Sequence, residues 1–211
     1  MKQITPAGLS AALASDCLDR LGLGGRVLAQ RIAPLDRSFH LVGPAHTLET
    51  ADQPGPVDDP YAGEIAAVDA IIADSVVVVG TCSKAAIWGE LLATRARFRG
   101  AVGIVSDCPV RDARQLSEMA FPTFCVGVSP LDAKGRVSVV AHGRSVICGG
   151  VLVAPGDLMV ADADGAVAVP QEAIDDVLAL AREKEGGEGT VRAALADGVS
   201  LRVIFEKHRI L

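Results

Sequence analysis

The segment Ser106-Asp107-Cys108-Pro109-Val110-Arg111-Asp112 carries the densest chemistry in the chain. It follows an apolar run at Ala101–Val105 that reads as a buried strand, and α/β sheets place their ligand sites at the carboxyl ends of such strands. An adjacent arginine and aspartate can do opposite jobs there. Arg111 offers a planar fork of donors suited to a carboxylate or a 2-oxo acid. Asp112 offers a hard oxygen ligand for Mg2+ or Mn2+. The same pair also has a plain structural reading, in which Asp112 caps a short helix at Ala113–Met119 and Arg111 is solvated.

Gly89-Glu90-Leu91-Leu92 is the second candidate. A helix beginning near Gly89 would turn its first amides toward an anion. A helix beginning at Ala85 would make Gly89 a packing glycine, and the sequence leans to this second reading. Pro155-Gly156-Asp157 and Asp164-Gly165 lie between short strands, where turn chemistry accounts for them. His40, His46, His142 and His208 are scattered without HxH or HxxxH spacing, which argues against a histidine zinc site. The five cysteines form no CxxC pair. Cys17, Cys125 and Cys148 have apolar neighbours and read as small core residues, and Cys108 reads as a bystander to the loop. GxSxG, Walker A and GxGxxG patterns are absent.

These residues need a scaffold, and the pattern supplies one. Val76-Val77-Val78-Val79 is a continuous β-branched run, the mark of a strand covered on both faces. Around it the sequence predicts helices at Ile65–Ile72 and Ala85–Phe98 and strands at Leu41–Leu48, Ala101–Val105 and Thr123–Val126. After Gly135 the pattern changes to short strands at Val137–Ala141, Ser145–Cys148, Leu158–Ala161 and Ala166–Val169. An amphipathic helix follows at Gln171–Lys184, interrupted at Gly186-Gly187 before another helix to about Ala196. An N-terminal helix capped by Thr5-Pro6 carries Leu9, Leu13, Cys17, Leu18 and Leu21 on one face. The expected organisation is one α/β domain over residues 1–170 with a helical tail over 171–211.

Composition sets outer bounds. Half of the 211 residues are hydrophobic but only 3% are aromatic, so the core is built from aliphatic side chains. The net charge is −6, with one Trp and one Tyr, which disfavours nucleic-acid partners. No apolar stretch reaches the roughly 18 residues of a membrane span. Met1-Lys2-Gln3 runs straight into a helix start, and a reduced, cytoplasmic protein is the expectation.

Taken together, these segments resemble the RraA-like family, which includes 4-hydroxy-4-methyl-2-oxoglutarate/4-carboxy-4-hydroxy-2-oxoadipate aldolases and the regulator of ribonuclease activity A. The resemblance extends over most of the chain and includes Ser15-Asp16-Cys17-Leu18-Asp19-Arg20-Leu21-Gly22 and Gly43-Pro44-Ala45-His46-Thr47. Its most specific part is the fixed separation of 22 positions between Gly89 and Arg111. The resemblance implies that the amides of Gly89, Glu90, Leu91 and Leu92 bind a substrate carboxylate, that Arg111 binds substrate, and that Asp112 holds the metal. It implies a catalytic role for Glu90, standing where the aldolases usually carry aspartate. It also implies a glutamate from a neighbouring subunit's C-terminal helix, for which Glu188 is the candidate and Glu185 the fallback. Asp107 fits the family's loop before Arg-Asp, whereas Cys108 and Pro109 depart from it. The implied fold is a layered β/β/α sandwich of the swivelling-domain type with a C-terminal helical tail, assembled as a homotrimer or hexamer. The implied activity is that of a class II pyruvate aldolase using Mg2+ or Mn2+ on a 2-oxo acid, with oxaloacetate decarboxylation as a side activity. A non-enzymatic regulator is the alternative, and the C-terminal acidic helix favours the enzyme branch.

Overall fold

The computed structural model describes residues 8–56, 58–81 and 84–208, with the backbone alone at 185–190 and 208. In chain order the elements are α1 (Ala11–Arg20), β1 (Ala33–Pro34), β2 (Leu41–Asp52), α2 (Ala62–Asp69), β3 (Val76–Val79), α3 (Glu90–Phe98), β4 (Gly103–Ser106), α4 (Ala113–Glu118) and β5 (Thr123–Cys125). There follow β6 (Val137–His142), β7 (Val146–Cys148), β8 (Val151–Val153), β9 (Leu158–Asp162), β10 (Gly165–Val169), a 3-10 turn at Gln171–Ala173, α5 (Ile174–Ala196) and α6 (Leu201–His208).

The valine run is the centre of the molecule. All four side chains of β3 are fully buried, and they divide by parity as a strand's side chains must. Val77 and Val79 face α2, α3 and α4 through Ala67, Val68, Ile71, Ala93, Ala96 and Leu116. Val76 and Val78 face Met159, Ala161, Ala166 and the hairpin residues Val146, Cys148, Val151 and Val153. Burying one valine is worth roughly 1.5–3 kcal/mol, so β3 anchors both layers at once. Strands β9 and β10 repeat the device, with Val160, Val167 and Val169 turned outward onto α1 and α5. The result is the mixed α/β layering that the element order suggests, in the β/β/α arrangement that the resemblance implies.

Strands β2, β3, β4 and β5 run parallel. The long β2 bends through three partners, pairing antiparallel with β9 over Leu41–Pro44, parallel with β3 over Ala45–Leu48 and antiparallel with β6 from Leu48 onward. The sheet order is β1-β5-β4-β3-β2-β9-β10. One segment bonds to both ends of that order. The Leu28 amide donates to Ala166 at 2.9 Å and Val27 bridges Val167, while Ala33 and Pro34 pair with Cys125 and Phe124. Residues 26–34 thus strap the two sheet edges together and nearly close the sheet.

Several boundaries differ from the sequence reading. Helix α1 is capped by Ser10, whose Oγ accepts from the Leu13 amide at 3.1 Å; Thr5 and Pro6 lie outside the described residues. Helix α5 runs unbroken through Gly186, Gly187 and Gly189, because Val177, Leu178 and Ala181 anchor its first half on α1 and the β9–β10 face and tertiary packing overrides glycine's weak propensity. Those same residues make the start of the tail part of the common core. Strand β8 and helix α6 went unread in the sequence. Among the described residues no helix is long and apolar enough to cross a membrane.

Candidate active site

Beyond the carboxyl ends of β3, β4 and β5 the chain continues as three short extended segments that bridge one another. Trp88 pairs with Val110, Val110 with Val128, and Ala86 with Asp132. The Arg111 amide donates to the Trp88 carbonyl at 2.8 Å. This second tier explains why the helix expected from Ala85 begins only at Glu90. The residues Ala85–Trp88 are buried and spend backbone groups on neighbouring segments, as with Ala86 N–H to Leu131 at 2.8 Å and Ile87 N–H to Pro109 at 3.3 Å. Gly89 is the N-cap of α3, so the helix begins where the first of the two readings placed it.

The side chains of Arg111 and Asp112 are engaged differently from the plain structural reading. Asp112 precedes α4 but makes no side-chain cap to it. Its Oδ2 instead accepts from the Glu90 amide at 3.1 Å, at the head of α3. The backbone of Asp112 is left-handed, φ 56° and ψ 36°, a conformation costing a non-glycine residue of the order of 1 kcal/mol. Arg111 is tied down at Nη1 by Asp132 Oδ1 at 3.0 Å and lies 3.6 Å from Asp112 Oδ2 through Nε. Asp132 in turn accepts from the Tyr61 hydroxyl at 2.5 Å. That hydrogen bond, with burial and the charge of Asp132 adding to it, raises the Tyr61 pKa. A chain of polar contacts therefore runs from the start of α2 to the site loop.

Arg111 and Asp112 stand between two cavities. One, of about 260 Å3, lies between the first turns of α2 and α3 and is lined by Tyr61, Glu64, Trp88, Gly89, Leu91 and Leu92 among others. The second, of about 430 Å3, opens on the other side toward Val128, Ser129 and Pro130. Of the residues expected at the site, Gly89, Leu91, Leu92, Arg111 and Asp112 meet here. Glu90 heads the same helix, but one oxygen of its carboxylate accepts from Thr94 at 2.8 Å and it lines neither cavity. Glu185 and Glu188 fall on α5, and their side chains lie outside the described residues. Lys84 is exposed and lines neither cavity.

Asp107 has a separate role. Its buried carboxylate accepts two hydrogen bonds from Arg31 Nη2 at 2.8 Å each, one from Thr81 at 2.5 Å and one from the Gly149 amide at 3.0 Å. It locks the site loop to the strap and to the β7–β8 hairpin. Cys108 is already bonded as a disulfide cysteine, and burial pushes the Cys148 thiol up to about 12, so neither offers a thiolate at neutral pH. His46 and His142 stack at 5.8 Å, a pairing of strands β2 and β6 that spacing alone did not reveal. Burial lowers the His46 pKa, opposed by its contact with the Ala67 carbonyl.

Among the described residues no three His, Cys, Asp or Glu side chains gather as a metal cage. Asp112 alone presents a carboxylate to both cavities, held in place through one oxygen. That donor set fits Mg2+ or Mn2+, which accept one or two carboxylates and complete their shell with substrate oxygens and water.

Sequence reasoning missed three residues here: Tyr61, Asp132 and Glu64. Glu64 had a readable signal, since with Ala67, Val68 and Ile71 it falls on one helical face at i, i+3, i+4 and i+7, and that face is buried. Glu64 is 2% exposed. Burial raises its pKa. The amides of Glu64 and Val139 temper the rise, and Asp132 and Asp59 add to it. Those amides lie close, but neither makes a hydrogen bond of normal geometry. A raised folded pKa means that the protonated side chain favours the fold at low pH and that this contribution is lost as pH rises through the folded value. Glu64→Gln is therefore expected to melt higher than the wild type at pH 8, with the gain disappearing near pH 4. Equal shifts at both pH values in a thermal scan would remove this account.

A family model described as RraA-like (Aldolase/RraA) matches residues 11–168. A Halalkalibacterium halodurans protein, provisionally named a 4-hydroxy-4-methyl-2-oxoglutarate aldolase, is 32% identical over 92% of this chain and 88% of its own length. Protein DlpA of Legionella pneumophila is 28% identical over 94% of this chain, which spans only 32% of that protein. The solved structure of Streptomyces coelicolor RraAS2, described as an unusual member of the RNase ES inhibitor RraA protein family, superposes with a TM-score of 0.80. It is 31% identical, over 88% of this chain and 93% of that one. An uncharacterized protein from Pseudomonas syringae pv. tomato superposes with a TM-score of 0.82 at 30% identity, over 93% of this chain and 88% of that one.

Proposed function

The chain belongs to the RraA-like family, and from that premise we propose that it is a divalent-metal-dependent aldolase cleaving a 4-hydroxy-2-oxo acid to pyruvate and a second oxo compound. One observation carries the reading. The Arg111 guanidinium and the first turn of α3 meet across Asp112 at a single cavity wall, with Asp112 bonded to the helix rather than capping its own.

In this reading the first-turn amides of α3 receive the substrate carboxylate, where the helix leaves N–H groups without intrahelical acceptors. Asp112 would hold Mg2+ or Mn2+, which supplies Lewis acidity at the 2-oxo group when bound. Arg111 donates to the 2-oxo oxygen and neutralises the charge that grows there as the C3–C4 bond breaks and its electron pair passes into the enolate. A water takes the proton of the 4-hydroxyl, and protonation at C3 completes pyruvate; the resemblance assigns that water to Glu90, whose carboxylate heads α3 outside both cavities. Oxaloacetate decarboxylation passes through the same enolate. Glu188 of a neighbouring subunit completes the site in a trimer or hexamer.

Pyruvate release, followed by coupled reduction to lactate, tests this directly. Activity is expected to vanish with EDTA and to return with Mg2+ or Mn2+. Borohydride trapping of pyruvate on a lysine would replace the metal-dependent class with a Schiff-base one. The similarity to RraAS2 favours a second reading, a regulator acting through its surface. No pyruvate from any of a panel of 4-hydroxy-2-oxo acids would decide for it.

A further inference from the structure

The 4-hydroxyl proton has no protein group to receive it if Glu90 stands outside the cavities, and one of the Glu90 oxygens is already taken by Thr94. Among the described residues, the side chains that line the cavity between α2 and α3 and can accept a proton are Tyr61, Glu64, Asp112 and Asp132. The Glu64 oxygens are buried out of reach. Asp112 is bonded to the Glu90 amide and is the group read as the metal ligand. Tyr61 and Asp132 remain, and they are bonded to each other at 2.5 Å.

Tyr61 is the N-cap residue of α2 and is 36% exposed. Its hydroxyl donates to Asp132 Oδ2, so the phenol oxygen keeps its accepting side for a donor in the cavity. The same hydrogen bond raises the Tyr61 pKa, and the phenol therefore carries a proton to pass on at neutral pH. Asp132 Oδ1 lies 3.0 Å from Arg111 Nη1. One carboxylate thus touches the guanidinium with one oxygen and the phenol with the other. This arrangement couples two charges. As the enolate forms, negative charge grows against the guanidinium. If Asp132 takes up a proton at the same moment, charge beside Arg111 is exchanged and not added, which avoids the repulsion of two like charges.

We propose that Tyr61 is a catalytic residue of the aldol cleavage, taking the proton of the 4-hydroxyl while passing its own to Asp132. The inference rests on the site binding a 4-hydroxy-2-oxo acid, and it puts this relay in place of a water at Glu90. The 2-oxo and 4-hydroxyl groups sit on carbons with one carbon between them, so a 2-oxo oxygen at Arg111 leaves the 4-hydroxyl close to the phenol that Asp132 links to that guanidinium. The electron pair of the 4-O–H bond becomes the second bond of the new carbonyl, and the C3–C4 pair enters the enolate. Tyr61 ends neutral and Asp132 ends protonated. Water protonates C3, and Asp132 returns its proton to solvent, which closes the balance.

The test compares two reactions that share the enolate. Cleavage of 4-hydroxy-4-methyl-2-oxoglutarate must remove a 4-hydroxyl proton, whereas oxaloacetate loses CO2 and has no such proton. Both are followed as pyruvate release by the Mg2+-loaded assembled protein, with oxaloacetate corrected for the Mg2+ blank. Tyr61→Phe keeps the ring and removes the oxygen. It is expected to lower kcat for aldol cleavage by roughly tenfold or more relative to kcat for decarboxylation, less than the full worth of a general base because water can enter in its place. Asp132→Asn keeps the shape but cannot take the proton. It should slow both reactions through Arg111 and also lower the ratio of aldol cleavage to decarboxylation. A pair that only held Arg111 in position would slow both reactions alike. Both side chains are partly exposed, so both variants should fold, which their melting curves check. The proposal is overturned by a wild-type ratio in either variant. A wild type that decarboxylates oxaloacetate but cleaves no 4-hydroxy-2-oxo acid overturns the relay and leaves the enolate reading of the site standing. A wild type that releases pyruvate from neither class overturns both.

Discussion

Replacing Arg111 by lysine is expected to lower kcat/KM for pyruvate release by roughly 10²-fold or more, the loss typical of one oxyanion donor. Lysine keeps the charge but not the planar fork, and in this site the fork is already divided. One nitrogen is held by Asp132 at 3.0 Å and another lies 3.6 Å from Asp112, so the orientation of the remaining donors is fixed by the protein. A single ammonium cannot reproduce both the anchor and the donation to substrate. Metal affinity should change little. Asp112→Asn should do the opposite: it weakens metal binding, because a neutral amide oxygen is a poorer ligand for a hard cation, and activity should partly return at high Mn2+. The Arg111 variant should not recover that way. Both side chains are 37% exposed, so both variants should fold. Metal-titrated kinetics and melting temperatures on the same two proteins decide the matter, and wild-type turnover in both would remove this site from the mechanism.

The second large effect is expected at Gly89, a position that touches no substrate through a side chain. Its backbone is extended, φ −154° and ψ −172°, which any residue adopts. The constraint is space. A Cβ there would stand 2.5 Å from Asp112 Oδ2, 2.9 Å from Arg111 Cγ and 3.2 Å from Arg111 Nε. Gly89→Ala must therefore displace both groups on which the chemistry depends, and a misplacement of about 1 Å costs on the order of 10²-fold in rate. Because those two side chains are partly exposed they can yield, so the stability cost should stay near 1 kcal/mol, or about 2–4 °C in melting temperature for a chain of this size. Loss of activity with a near-normal melting curve is the expected pair of results. A variant with full activity would mean that the close packing of Gly89 on Arg111 and Asp112 has no part in catalysis.

How far the sequence revealed this arrangement depended on how local each signal was. The Val76–Val79 strand was legible because four β-branched residues in succession have few other uses. Arg111 and Asp112 were legible as a pair because they are adjacent and follow a strand, whereas the αL backbone of Asp112 and its bond to Glu90 in place of a cap to its own helix were not. The start of α3 was misread because the apolar run Ala85–Trp88 suits a helix equally well, and only its bridges to Val110 and Asp132 make it extended. Helix α5 was broken too early, since its first half is anchored by Val177, Leu178 and Ala181, a tertiary packing that local preference does not reveal. Tyr61 and Asp132 were invisible for a plainer reason. They are far apart in sequence, and only the docking of α2 brings their side chains to 2.5 Å.

The strap over residues 26–34 has a consequence for the order in which the molecule can assemble. It is made early, before any strand of the parallel sheet, yet its partners are Phe124 and Cys125 at one end and Ala166 to Ala168 at the other. During synthesis Val27 cannot meet Val167 until most of the chain has been made. The loop so closed is among the longest the molecule contains, and its entropy must be met before its contacts return anything. Until then both outer edges of the sheet stand unpaired and open to other chains. Ring closure therefore belongs to the end of the folding trajectory. Since Arg31 of the strap is what clamps Asp107, the loop that carries Arg111 cannot take its final shape until that late event is complete.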